Sequence, residues 1–198
     1  MNDEVKRSVI DRPKLPPLFP THRHSSRFWE KLGRTIATFG FLEEVLGKAI
    51  FAFTATRNYD PSEIDAAYQA WLPQLERALT DQLWNLAESY GAAARNNPAT
   101  TIQNIPELIE DIKKATIIRN VLCHGSWRAP NVGGASVPLY VNRQKQVFDT
   151  AIDVAYLEQV QAHVVDLACS VIDSVTHMGW KFPGGAGPGK PIMERPRS

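Results

Sequence analysis

Three side chains beyond the middle of the chain, Arg119, Asn120 and His124, combine residue types that can act on a phosphodiester. An imidazole changes charge near neutral pH, so it can take or give a proton. A guanidinium offers a planar fork of donors that matches a phosphate. RNA carries its own nucleophile in the 2′-OH. Its cleavage therefore needs a base for that proton, an acid for the leaving 5′-oxygen and positive charge at the phosphorane. His124 fits the proton transfers, Arg119 the phosphate, and Asn120 the orientation of the imidazole or of a phosphate oxygen. One such set supplies one histidine, whereas a separate acid and base ask for two. A two-fold dimer that unites two copies of the set would supply both. The expected products are a 2′,3′-cyclic phosphate and a 5′-OH, with no metal or other cofactor required.

The same residues also fit a purely architectural arrangement. Arg119 shares a helical stripe with Leu108, Ile112, Ala115 and Leu122, so its charge is directed toward a packed seam. An inward carboxylate such as Glu43 or Glu44 could neutralise it there. Asn120 could cap a neighbouring turn, and His124 could hydrogen-bond the last carbonyls of its helix. Asn120 and His124 are four apart and stack one turn over another, with Arg119 about 100° round from Asn120. In either arrangement the polar groups gather at the C-terminal end of one helix.

Four segments must position them. The first begins after Ser25-Ser26, which can N-cap, and carries Trp29, Leu32, Ile36, Phe39, Leu42, Leu46, Ile50 and Phe53 at helical spacing. Gly33, Gly40 and Gly47 recur every seven residues on a neighbouring stripe. Each costs about 1 kcal/mol relative to Ala in a helix interior, which asks for a compensating close approach of another helix, in the bundle or across a dimer seam. The second opens on Asp60-Pro61-Ser62-Glu63, a capping-box pattern, and holds its period from Ile64 to Tyr90. Pro73 lies inside it and predicts a kink or break there. The third runs from Asn104 to Gly125, a glycine placed for a left-handed C-terminal cap. The fourth runs from about Asp153 through Leu157, Val164, Leu167, Val171 and Val175 to Gly179. Between the last two, Trp127-Arg128-Ala129, Val137–Val141 and Gln146-Val147-Phe148 are β-like, and the latter two can pair across Asn142–Lys145. The reading is all-α: an up-and-down bundle of four main helices with a small β-hairpin before the last.

In that setting Arg119-Asn120, three residues and His124 resemble the Arg-polar-x3-His signature of HEPN domains, named for higher eukaryotes and prokaryotes nucleotide-binding. Gly125 and Trp127 resemble the His-Gly-x-Trp continuation of some bacterial branches. The resemblance covers about residues 26–179. It implies an all-α bundle that acts as a homodimeric, metal-independent endoribonuclease on RNA, in a toxin or phage-defence setting, with an antitoxin or regulatory protein as a further partner. Other members of the family are non-catalytic modules that bind RNA, nucleotide or protein, and that alternative stays open.

Weaker signals surround the motif. Lys113 and Lys114 precede it by one to two turns, and Trp127 and Arg128 follow it; together they could line an RNA path, with the indole as a stacking surface. Ordinary solvated charge is the simpler account of any single one of the basic residues. His22 and His24 lack the cysteine or carboxylate cluster of a zinc site. No glycine-rich phosphate loop follows a strand, so nucleotide-hydrolysing folds find no support.

The 198 residues, 43% of them hydrophobic, suffice for one domain with a core. The net charge of +1 hides a division. Residues 1–27 and 181–198 carry an excess of three positive charges each, which leaves residues 28–180 at −5. The organisation read from this is a basic, proline-rich arm (1–25), a helical bundle (26–180) and a Gly/Pro-rich disordered tail (181–198). Basic arms on an acidic body can recruit a polyanion or simply be solvated. The two cysteines, Cys123 and Cys169, fall inside helices and read as reduced, buried thiols. No apolar leader or membrane-length run is visible, which predicts a cytoplasmic protein with no membrane partner.

Overall fold

The computed structural model describes residues 9–192, and among these five α-helices dominate: α1 (Ser26–Ala55), α2 (Ile64–Thr80), α3 (Leu83–Arg95), α4 (Ile105–His124) and α5 (Val154–Thr176). The chain is all-α in class. The start of α1 is capped as its sequence predicts, and α5 starts on a cap at Asp153 as well. Ser25 accepts from the Phe28 N–H at 3.2 Å and Asp153 from the Tyr156 N–H at 2.7 Å, each satisfying one of the amides that a helix start leaves free.

The expected second helix is divided, and not where its proline predicts. The chain passes Pro73 inside α2 and leaves the helix at Asp81-Gln82, so two helices replace one. Pro73 is exposed, where a carbonyl freed by the missing N–H can be hydrated. The division also splits the apolar stripe. Leu83, Leu86 and Tyr90 of α3 are buried, whereas Ile64, Tyr68 and Leu72 of α2 are 52%, 52% and 37% exposed. The Asp60 cap belongs to the turn ahead of α2. Its carboxylate accepts from the Ser62 N–H and hydroxyl at 2.9 and 2.6 Å, and the helix begins at Ile64.

The core lies between α1, α3, α4 and α5. Phe28, Phe39, Leu42 and Phe53 from α1 meet Leu86 and Tyr90, Ile112, and Leu157 and Val171 in one buried cluster. Contacts between the helices fix their directions. Thr35 of α1 donates to the Leu157 carbonyl at 3.2 Å. The Tyr90 ring stands 5.8 Å from that of Phe53, while its hydroxyl donates to Ser174 Oγ at 2.8 Å. Early residues of α1 and α5 therefore lie together, as do late ones, and the two helices run the same way. Lys113 of α4 pairs with Glu88 of α3, and Ile109 lies against Gly91, so those two run antiparallel.

Beyond α4 the β-like stretches form isolated antiparallel bridges, Ser126 with Leu139, Val141 with Val147 and Ser136 with Ile152, and no extended ladder develops among the described residues. Of the expected disordered tail, residues 181–192 are described and are folded back. Lys181 N–H donates to the Lys190 carbonyl, Lys190 N–H donates to that of Gly179, both at 2.8 Å, and Phe182 and Ile192 pack on the core. Gly189 makes the turn possible, with φ +112° and no room for a methyl group against the Trp180 backbone. Residues 193–198, and the first eight residues of the basic arm, lie outside the described residues. The two cysteines correct another expectation. Both lie on helices but are exposed and unpaired, because each falls just off the core stripe, beside Leu122 and Ala168 respectively.

Candidate functional site

The motif occupies the last turns of α4. Ile109, Ile112, Ala115, Val121 and Leu122 anchor that helix in the core, and this fixes the rotation at which its polar residues emerge. Gly125 ends the helix, but not in the left-handed conformation its position suggests. It is extended (φ −68°, ψ 137°), and its N–H donates to the Val121 carbonyl at 2.8 Å. A Cβ here would stand 2.6 Å from that carbonyl oxygen and 2.9 Å from Pro138 Cβ. The glycine is needed for a close approach of chain segments and not for its backbone angle.

Arg119 is half-buried, with 29% of its side chain exposed, and its Nη2 lies 3.5 Å from Glu43 Oε1 on α1. Nη1 donates to Asn120 Oδ1 at 3.4 Å. Of the two carboxylates expected as partners the geometry selects Glu43; Glu44 accepts from Lys48 at 2.6 Å instead. Glu43 Oε1 is itself buried with no hydrogen bond. Burial pushes the Glu43 carboxyl above the usual carboxylate range, opposed by the neighbouring Arg119 charge. His124, one turn beyond Asn120, is exposed, as is Cys123. Arg119 and Asn120 thus form a held pair at the helix end, and His124 stands in solvent next to it along the helix.

The residues expected to line an RNA path divide. Lys113 is only 14% exposed and is committed to α3: it bridges Glu88 and Glu110 and lies 5.3 Å over the Trp84 ring. Those two carboxylates raise its pKa. Lys114 is open to solvent beside Asp111. Arg128 is exposed too. Trp127 is half-buried in an aromatic cluster, its ring 5.0 Å from that of Phe28 and 6.3 Å from that of Trp29.

That cluster gathers residues to which the sequence assigned no joint role. His24, from the N-terminal arm, stacks on Phe28 at 4.3 Å, meets Trp127 edge-on at 6.1 Å, and shares a 3.0 Å hydrogen bond between Nε2 and the buried Ser136 Oγ. Trp29 Nε1 donates to the Thr21 carbonyl at 2.8 Å. Burial lowers the His24 pKa. The arm is therefore tied to the segment that immediately follows the motif. The density of aromatic and imidazole rings at 24, 28, 29 and 127 was the available signal, but nothing in their spacing says that position 127 returns to position 28.

Two larger concavities lie elsewhere. One, of about 370 Å³, is lined by Ile50, Arg57 and Ala93 among others, and a second, of about 410 Å³, by Tyr59, Ile64 and Ala67. Among the described residues no group of three or more His, Cys, Asp or Glu side chains is placed to hold a metal ion, and no helix is long and apolar enough to cross a membrane. Comparison with protein-family models, with curated proteins and with solved structures finds no match to this chain.

Proposed function

We propose that the chain is a HEPN-like, metal-independent endoribonuclease of the cytoplasm that acts as a homodimer. Arg119 holds the scissile phosphate, Asn120 orients, and His124 moves protons. The observation that carries the reading is the placement of an exposed imidazole on the last turn of α4, next to a half-buried Arg119–Asn120 pair. In the proposed step the 2′-oxygen bonds to phosphorus as its proton passes to one His124. The bond from phosphorus to the 5′-oxygen breaks as the partner's His124 protonates that oxygen. Arg128 is exposed and available to guide RNA toward the site; Lys114 is exposed as well but pairs with Asp111 at 2.9 Å, and Lys113 and Trp127 are held by intramolecular contacts. The toxin or phage-defence setting, with its antitoxin, rests on the resemblance of the motif alone.

The fold this reading assumes is an up-and-down bundle with a hairpin insert. Support comes from the antiparallel α3 and α4 and from the pairing of Val141 with Val147. Counting α2 as a separate stroke makes consecutive helices alternate through five strokes, which accounts for α1 and α5 running the same way.

A second reading, a non-catalytic module that binds RNA, nucleotide or protein, is favoured by one observation: Arg119 already has a carboxylate partner in its own chain. Incubation of the purified protein with total RNA in excess EDTA, with the cut ends mapped, separates the two. The nuclease gives 2′,3′-cyclic phosphate ends, and His124→Ala lowers the rate about 10²–10⁴-fold, the range for loss of a general acid or base; cleavage is lost in Arg119→Ala. Undiminished cleavage by His124→Ala rejects the assignment. Binding without cleavage, dependent on Arg119 and indifferent to His124, establishes the module.

A further inference from the structure

Glu43 is the residue at this site whose position is only partly rewarded: it pairs with Arg119 across α1 and α4, yet one of its buried oxygens makes no hydrogen bond. Its Oε1 is buried without a hydrogen bond, 3.5 Å from Arg119 Nη2, which is ion-pair distance but beyond a good charge-assisted contact. A carboxylate placed only to stabilise the fold would satisfy its oxygens, because an unmade hydrogen bond at a buried oxygen is costly. The guanidinium meanwhile keeps 29% of its side chain exposed, on the helix that presents the open His124 five residues further on. A phosphate has the charge and the oxygen geometry that Glu43 offers incompletely, and it can engage the guanidinium with two parallel bonds.

We infer that Glu43 is a built-in competitor for Arg119: in the free protein its carboxylate occupies the guanidinium, and an incoming phosphodiester must take Arg119 from it. This rests on the reading of the motif as a phosphodiester site, though not on cleavage. Glu43 is then a regulatory residue that sets the threshold for RNA binding. Removing its charge while keeping its shape loosens Arg119 and tightens binding.

The test uses the full chain and a fluorescent single-stranded RNA methylated at every 2′-oxygen, which can bind but cannot be cut, with affinity read by anisotropy. Glu43→Gln is expected to bind about two- to five-fold tighter than the natural chain, the scale on which half-exposed ion pairs compete. Glu43→Asp, whose charge is withdrawn by one methylene, falls between the two. The Glu43→Gln gain disappears in an Arg119→Ala background. Thermal melting of each variant verifies that it is folded. Equal or weaker binding by Glu43→Gln overturns the inference, as does a gain that persists without Arg119, which would mark a general charge effect, or no binding by either protein. Cleavage of unmodified RNA, run in parallel, keeps the two readings apart. An Arg119-dependent gain in binding with no cutting by any variant removes the nuclease and leaves the competitor. Cutting that needs His124, with no gain from Glu43→Gln, does the reverse.

Discussion

Arg119 and His24 show how much a single side chain owes to what lies across from it. Helical period alone directs Arg119 inward, and the sequence offers Glu43 and Glu44 as examples of carboxylates that could meet it there. Which of the two it meets depends on the rotation of α1, and α1 is set by Phe39, Leu42 and Leu46 in the core. His24 is the harder case, since its hydrogen-bond partner Ser136 is 112 positions away. Burial holds the His24 pKa below the ordinary value of 6.5, so just below that pH the unfolded chain binds a proton that the folded chain refuses. Stability is accordingly present above about pH 6.5 and is lost as the pH falls through the lowered folded pKa. Melting curves between pH 7.5 and 5 should show this loss, and His24→Phe, which keeps the ring and cannot titrate, should flatten it. An identical pH profile in the variant would assign the acid sensitivity to other groups.

At the scale of elements, the glycines separate by what surrounds them. Gly33 and Gly40 on α1 have nothing within 4 Å of where a Cβ would stand. The close approach that their heptad spacing suggested is therefore absent at these two positions within the described residues. Gly40→Ala should raise the melting temperature by about 2–4 °C, from about 1 kcal/mol of helix propensity. A lower value, with association weakened, would place a second copy against this face. Gly125 is the opposite case, because its backbone angles suit any residue and its surroundings do not. Gly125→Ala crowds the Val121 carbonyl and Pro138, and overpacking of about 1–3 kcal/mol should lower the melting temperature by about 2–12 °C. A neutral result would show that the segment after the motif can move aside. The periodicity of α1, α4 and α5 made these helices legible. The split between α2 and α3 was not, because proline is the strongest local breaker and yet an exposed proline can be accommodated.

For the whole molecule, the division into an acidic body with two basic ends survives as a statement about charge and changes as one about structure. Residues 181–192 belong to the folded body: Phe182 and Ile192 rest on the core, and with Phe51 they enclose a concavity of about 250 Å³. Removing residues 181–198 should therefore lower the melting temperature by about 4–8 °C, the effect of exposing about 2 kcal/mol of apolar contact. Unchanged melting would mean that these contacts stabilise nothing. The arm likewise reaches the body through Thr21 and His24, so its deletion disturbs the aromatic cluster beneath Trp127 as well as removing charge.

What the sequence by itself determined is what short-range patterns encode: a helical class, the cap at the start of α1, the apolar stripes of three long helices, and three polar groups at the end of one of them. Only the tertiary structure decided that Glu43 faces Arg119, that Lys113 is spent on Glu88 and Glu110, that Trp127 returns to Phe28 and His24, and that a Gly/Pro-rich end packs down. Each of these depends on how helices rotate and cross to fill a common core, and that outcome is set by residues distant in sequence acting together.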